Sequence, residues 1–347
     1  MRRIQLILLL LGIGLFVLVV HRVGLGDIAR GLGAVGWSFL GIFAVELVID
    51  ALHSEGWLWC LPARSRISRL RLLAARTAGF AVNALTPTAT VGGEVVKGML
   101  IRRWVPLVDG FASVMVDKLS FAVGQAVFLL VGLVTVFEAV PFNARERQFA
   151  VVAVVVWVAA VGAFFALQRF GILRTGFRVM RALFGGAALV GRLPGHAAAF
   201  DARVTSLLTT HRFRFLVSVF FHVLGQAART LQFWMALTAL GFDPGITDCF
   251  TTAGGLVFIE ATLFLVPGKL GVLEGGHVVI FSVLGYGAAA GLTVSFALRL
   301  SELASALLGL GALGYFHFRY PATQGPPEEA PAAPQAAAGS QRRKATS

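Results

Sequence analysis

Apolar runs of membrane-crossing length recur along this chain, and two of the apolar regions are broken by proline, glycine and glutamate in a way no simple spanning helix tolerates. The uninterrupted runs lie at about 4–20, 33–60, 107–139, 149–168, 215–240 and 290–316, each close to or beyond the ~20 residues a helix needs to cross the hydrocarbon core. Hydrophobic residues make up 57% of the 347, charged residues only 14%, and the mean hydropathy is +0.81. A chain this apolar is expected to be an all-α polytopic membrane protein with about six full spans.

The two broken regions lie at about 72–101 and 250–286. The first contains NALTPTATVGGEVVK, Asn83 to Lys97, and the second FLVPGKLGVLEGGH, Phe264 to His277. Each has a proline followed by a glutamate seven positions later, Pro87 to Glu94 and Pro267 to Glu274. Proline and glycine interrupt a helix, and irregular backbone at membrane depth survives only where protein or water covers it. Both regions therefore read as re-entrant hairpins.

Charge placement sets the expected topology. The net charge of +13, from 30 Lys and Arg against 17 Asp and Glu, would suggest nucleic acid in a water-soluble protein. Here the arginines fall mainly between apolar runs, so anionic lipid head groups are the expected counter-charge and no nucleic-acid partner is expected. With the N-terminus inside, the inner segments hold Arg2 and Arg3, Arg64 to Arg71, Arg102 and Arg103, the arginines of 169–214, and Arg319 to Lys344. The outer segments hold only Arg22, Arg30, Arg145 and Arg147. That bias predicts both termini in the cytoplasm. The run Ile4 to Val20 follows two arginines as a signal peptide would, but no small-residue cleavage site precedes His21, so it reads as a retained helix.

This topology divides the chain into residues 1–139 and 140–318, each with an odd number of full spans and one hairpin. The second unit would then be inverted relative to the first, as in inverted-repeat transporters. Polar stripes agree with this: Glu46, Asp50 and His53 share their spacing with His222, Gln226 and Arg229. Glu46 precedes His222 by 176 residues, and Pro87 precedes Pro267 by 180. Between the units, 170–190 places Leu173, Phe177, Met180 and Phe184 on one face and three arginines on another. It reads either as a basic helix on the inner leaflet or as a solvated loop helix. The Pro/Ala-rich tail, 319–347, is expected to be disordered.

Candidate chemistry lies in the hairpins. Asn83, Pro87, Gly93, Glu94 and Lys97 supply a helix break with an acid and a base three residues apart, and the freed backbone N–H groups beside Lys97 suit a phosphate. Pro267, Lys269, Gly271, Glu274 and His277 supply the same parts in the second hairpin. Arg299, 25 residues after Glu274, is the candidate phosphate partner from the last span. Other charges within apolar surroundings are Glu46, Asp50, Asp117, Arg229 and Glu260. Asp117 and its neighbour Lys118 read either as a structural ion pair or as part of the site, and His222 and Gln226 as links between helices. Each hairpin glutamate has a plainer reading too, as a structural ion pair that stabilises a broken helix. Cys60 and Cys249 have no metal-binding spacing and read as packing residues. There is no P-loop, dinucleotide fingerprint, GxSxG, HExxH or CxxC. No cofactor, no metal and no soluble catalytic domain is expected.

The segments NALTPTATVGGEVVKGMLIRR and FLVPGKLGVLEGGHV, with ALRLSELASALLGL on the last span, resemble the flippase-like membrane region of lysylphosphatidylglycerol synthases and their stand-alone relatives. VGGEVV with VPGKLGVLEGGH is similar to the hopanoid-biosynthesis-associated branch. The resemblance covers roughly residues 5–318. It implies a multi-pass protein of the bacterial inner membrane that moves an amphiphilic lipid between leaflets, anionic or isoprenoid in type, in hopanoid or cell-envelope lipid metabolism. It places the Gly-Glu element on Gly93 and Glu94, the Gly-x-x-Glu element on Gly271 and Glu274, and the last-helix arginine on Arg299. The aminoacyl-transfer domain of the full-length synthases does not follow in this chain, so lysyl transfer is not expected. Two alternatives remain open: a non-catalytic subunit recruiting a lipid-modifying enzyme, and an intramembrane lipid enzyme.

Overall fold

The computed structural model describes residues 33–85, 91–139, 143–168, 194–262 and 272–320. Among these there are ten helices and no strand: α1 (Ser38–Cys60), α2 (Arg69–Leu85), α3 (Val91–Ile101), α4 (Leu107–Ala139), α5 (Ala144–Gln168), α6 (Pro194–Thr209), α7 (Arg212–Ala239), α8 (Ile246–Thr262), α9 (Val272–Val283) and α10 (Ala288–Arg319). The first apolar run, the amphipathic helix expected at 170–190 and the tail from 321 lie outside the described residues.

Local chemistry explains several boundaries. Ser68 caps α2 by accepting the Arg71 N–H at 3.4 Å. Asn143 and Glu146 open α5 as a reciprocal capping box, with both side-chain-to-backbone bonds at 2.9 Å. At the end of α7, Gly241 takes φ +87, which permits the Phe242 N–H to reach back to the Leu237 carbonyl at 3.1 Å.

Polar and apolar residues are distributed inside out relative to a water-soluble bundle. Asp117 and His222 are 2% and 0% exposed, whereas Val134 and Leu308 are 60% and 52% exposed. Leu40, Val48, Val131, Phe220 and Leu231 share the exposed surface. Water would penalise such an exterior, and lipid does not. By length and composition α4 (over Leu107–Phe137) and α10 can each cross a membrane. At 23 and 28 residues, α1 and α7 would reach ~35 and ~42 Å, and the polar groups they turn inward lower their average hydropathy.

Lipid offers no hydrophobic drive for helices to associate, so small residues that allow close backbone approach matter more. Gly132 of α4 meets Gly254 of α8, and Gly309 of α10 meets Thr77 and Ala81 of α2. The first short helix of each broken region thus packs on a long helix from the other half of the chain. Contacts between α1 and α7 run from Ile42–Gln232 through His53–His222 to Cys60–Ser218, so the two helices are antiparallel. The pairs Asn83–Gly93 and Gly79–Lys97 make α2 and α3 antiparallel. Ile259–Gly276 and Gly255–Ile280 do the same for α8 and α9.

One end of the bundle gathers the α1–α2 and α3–α4 connections, α6 and the C-terminal end of α10. Trp104 packs edge-on against Phe316 and Tyr320, Arg203 pairs with Asp109 at 2.7 Å, and Arg214 donates to the Trp59 and Leu61 carbonyls. At the other end, Tyr286 donates to Asp248 at 2.5 Å and stacks edge-on against Phe242.

Candidate functional site

The apolar core is split in two. One cluster contains Ile42, Phe128, Phe233 and Val294, and the other contains Trp57, Val114, Leu72 and Leu313. On each long helix the polar residues fall between its contributions to the two clusters: Glu46, Asp50 and His53 on α1, His222 and Gln226 on α7, Asp117 and Ser120 on α4, and Ser301 and Ser305 on α10. The result is a polar layer across the bundle, partway along the helices that build it.

On one flank of this layer stands the first broken region. Asn83 Oδ1 accepts the Gly93 N–H at 2.7 Å, which ties the start of α3 to α2. Gly93 faces the Gly79 carbonyl so closely that only glycine fits. Glu94, in the first turn of α3, pairs with Lys97 at 2.9 Å and with Lys118 of α4 at 3.2 Å. Lys97 is buried, with its ammonium 5.9 Å from the Trp57 ring centroid. Trp57 is held in turn by donating to Ser113 at 3.1 Å.

The other flank carries the second broken region. Glu274 and Arg299 pair at 2.9 Å, and Arg299 reaches Glu302 at 3.5 Å. His277 donates through Nδ1 to the Leu273 carbonyl one turn back at 2.7 Å and packs against Phe233 and Phe281. The acid and base three residues apart are therefore not equivalent in the two regions, because His277 turns away into the aromatic core while Arg299 partners the glutamate. Pro87, Pro267, Lys269 and Gly271 lie outside the described residues.

Between the flanks the layer is continuous in charge. Asp50 stands 3.9 Å from Arg76 of α2 and accepts from Ser305 at 2.7 Å. Glu46 accepts from Gln232 at 2.9 Å. Arg229 sits in the field of Glu46, Glu302, Glu260 and Asp50. Asp117 does not pair with Lys118. Adjacent residues on a helix point about 100° apart, so Asp117 turns inward to His222 at 3.1 Å while Lys118 turns to Glu94. Arg76, Gln232 and Ser305 went unread in the sequence, although a lone arginine inside the apolar segment LLAARTAGF was a signal for the first. Cys60 and Cys249 are both buried, as their packing role requires. Among the described residues no set of three metal-ligating side chains forms.

Residues 5–309 match the family described as the lysylphosphatidylglycerol synthase TM region. The chain belongs to that family. Two curated relatives from Methanothermobacter thermautotrophicus, each named UPF0104 membrane protein, are similar along most of their length. One is 26% identical over 84% of this chain and 88% of its own, and the other 24% identical over 89% and 95%. No solved structure matches. Both hairpin glutamates, Lys97 and Arg299 fall within the matched lysylphosphatidylglycerol synthase TM region. Membership, together with helices and no strand among the described residues, makes this a helical membrane protein of a lipid-related family.

Proposed function

We propose that this chain translocates an amphiphilic lipid between leaflets, its head group crossing at the polar layer while its acyl or isoprenoid tails stay in the surrounding lipid. The observation that carries the reading is the layer itself. Charged groups buried at membrane depth are expensive to keep, and they mark ion and substrate pathways. Glu94, Glu274 and Arg299 keep part of their surface accessible, at 18%, 17% and 16% of their side chains. Lys97 and Arg299 offer a cationic path for an anionic head group, gated by Glu94 and Glu274. A hopanoid or cell-envelope lipid is the cargo suggested by the sequence resemblance.

An inverted repeat would suit such a translocator, and helix lengths and contacts support that reading. The plan long, short, short, long occurs in α1–α4 and again in α7–α10, with lengths of 23, 17, 11 and 33 residues against 28, 17, 12 and 32. The contact Gly132–Gly254 has its counterpart in Gly309–Thr77, because both members shift by 177 residues. The antiparallel crossing of α1 and α7 is what two units in opposite orientations would give. Rocking of one unit against the other would open the layer to each leaflet in turn. In the inner bacterial membrane the arginine-rich end, with Arg64, Arg203 and Arg214, would face the cytoplasm, and both termini would lie there. The same end carries a cleft of about 470 Å³ lined by those three arginines, which favours a second reading, the docking of a lipid-modifying enzyme.

Reconstitution in liposomes with a head-group-labelled lipid tests the proposal. Wild-type protein is expected to accelerate exposure of the label to an external quencher, and Glu94→Gln/Glu274→Gln protein to lose most of that acceleration. Equal rates for wild-type, variant and protein-free vesicles would refute it.

A further inference from the structure

Where α1 and α7 cross, a line of three ionisable side chains stands apart from the two hairpin glutamates. His222 presents Nε2 to Asp117 Oδ1 at 3.1 Å and Nδ1 to His53 Nδ1 at 2.8 Å. Neither two lone pairs nor two N–H groups can face one another at that separation, so a single proton lies between the rings. The rings are seated by glycines from three helices. A Cβ on Gly56 of α1 would come 3.0 Å from the His222 ring, one on Gly225 of α7 would come 2.7 Å from the His53 ring, and one on Gly124 of α4 would meet His222 Cβ at 2.9 Å. Phe121 covers both rings edge-on, at centroid distances of 5.2 and 5.4 Å. The charges acting on the pair come from every side: Arg76 on α2, Lys97 on α3 with its partner Glu94, Asp117 on α4 and Arg229 on α7. Asp50, one turn before His53 on α1, is engaged by Arg76 and by Ser305 of α10.

We infer that Asp117, His222 and His53 bind one exchangeable proton and relay it, which makes the transport cycle proton-linked. In the resting line Asp117 is a carboxylate, His222 carries its proton on Nε2 and His53 carries its proton on Nδ1. An arriving proton bonds to His53 Nε2. The Nδ1 proton then leaves His53 for His222 Nδ1, one N–H bond breaking as another forms. The positive charge thereby moves onto the ring that faces the Asp117 carboxylate, the countercharge that a buried imidazolium needs. The proton site stands on this geometry alone, and its link to transport rests on the lipid-translocation reading.

Nitrogen-15 histidine NMR on the full chain in nanodiscs tests the site without any lipid cargo. The chain holds seven histidines, and His53→Gln and His222→Gln proteins assign the two signals. A nitrogen–nitrogen coupling across the 2.8 Å bond identifies them in the wild type should either variant misfold. The two rings are expected to titrate together as the sample is acidified, with uptake of one proton per chain. Rings fixed in one neutral tautomer at every pH at which the protein stays folded would overturn the inference. In liposomes, a transmembrane pH gradient is expected to change the flipping rate of wild-type protein and not that of Asp117→Asn protein. Flipping indifferent to the gradient overturns the coupling. Joint titration with no flipping at all sinks the lipid reading and upholds the proton site.

Discussion

Gly93 lies so close to the carbonyl oxygen of Gly79 that neither position has room for a side chain: a Cβ on Gly93 would overlap that oxygen, and one on Gly79 would come 2.8 Å from the Gly93 carbonyl oxygen. The contact fixes how α3 leans on α2, and so where Glu94 points. Gly93→Ala is expected to destabilise the protein by about 2 kcal/mol or more, because backbone has to move. Gly275→Ala, at the analogous helix start where nothing lies within 4 Å, should change stability by less than about 1 kcal/mol, in the favourable direction. Thermal unfolding in detergent compares the two.

Lys97 and Lys118 both bind Glu94, but they are not equivalent. The Lys97 side chain is 7% exposed and the Lys118 side chain 46%. Lys118→Gln should alter stability by no more than about 0.5 kcal/mol, as for other exposed ion pairs. Lys97→Gln leaves Glu94 with only its exposed partner and should cost about 2 kcal/mol. Denaturant or thermal melts of both variants decide the order.

Glu274 and Arg299 should be coupled. Glu274→Gln and Arg299→Gln are each expected to destabilise, and the double variant by less than the sum, with a coupling of about 1–2 kcal/mol. Additive effects in this cycle would show that the 2.9 Å pair contributes nothing of its own.

Outside the spanning segments, burial and the hydrogen bond to Asp248 push the Tyr286 phenol above its ordinary range. The protonated form is therefore favoured in the folded state. Its stabilisation is fully present below about pH 10, the ordinary phenol value, and is lost as pH rises from there toward the elevated folded value. Wild-type protein should lose thermal stability more steeply above about pH 10 than Tyr286→Phe protein does, as melting curves at stepped pH will record.

Much of the site was legible because its partners are close in sequence or repeat a spacing. Glu94 and Lys97 are three apart in a helix, and the proline-to-glutamate interval occurs twice, so the helix breaks and their charges could be read directly. Placing the last span beside the second broken region brought Arg299 near it as a phosphate partner, but not as the ion-pair partner that Glu274 has at 2.9 Å. The centre of the layer was not legible, for a geometric reason. His53 and His222 are 169 positions apart, and only the antiparallel crossing of α1 and α7 brings them together. Nothing in a neighbouring pair such as Asp117 and Lys118 reveals that the helix turns one inward and the other outward. Likewise, His277 has the spacing of a partner for Glu274, but aromatic packing against Phe233 and Phe281 claims it instead.

The exchange of short helices between the halves has a consequence for assembly. Gly309 receives α2 and Gly132 receives α8, so the first helix of each broken pair is covered from the other half, while the second stays with its own: Gly98 of α3 meets Phe111 of α4, and Gly291 of α10 meets His277 of α9. A polypeptide ending after α4 would leave the Thr77–Ala81 face of α2 bare, and it would lack the groove in α10 that closes over it. Two separately synthesised halves would each carry what the other is missing, and would be stable only after meeting in the bilayer.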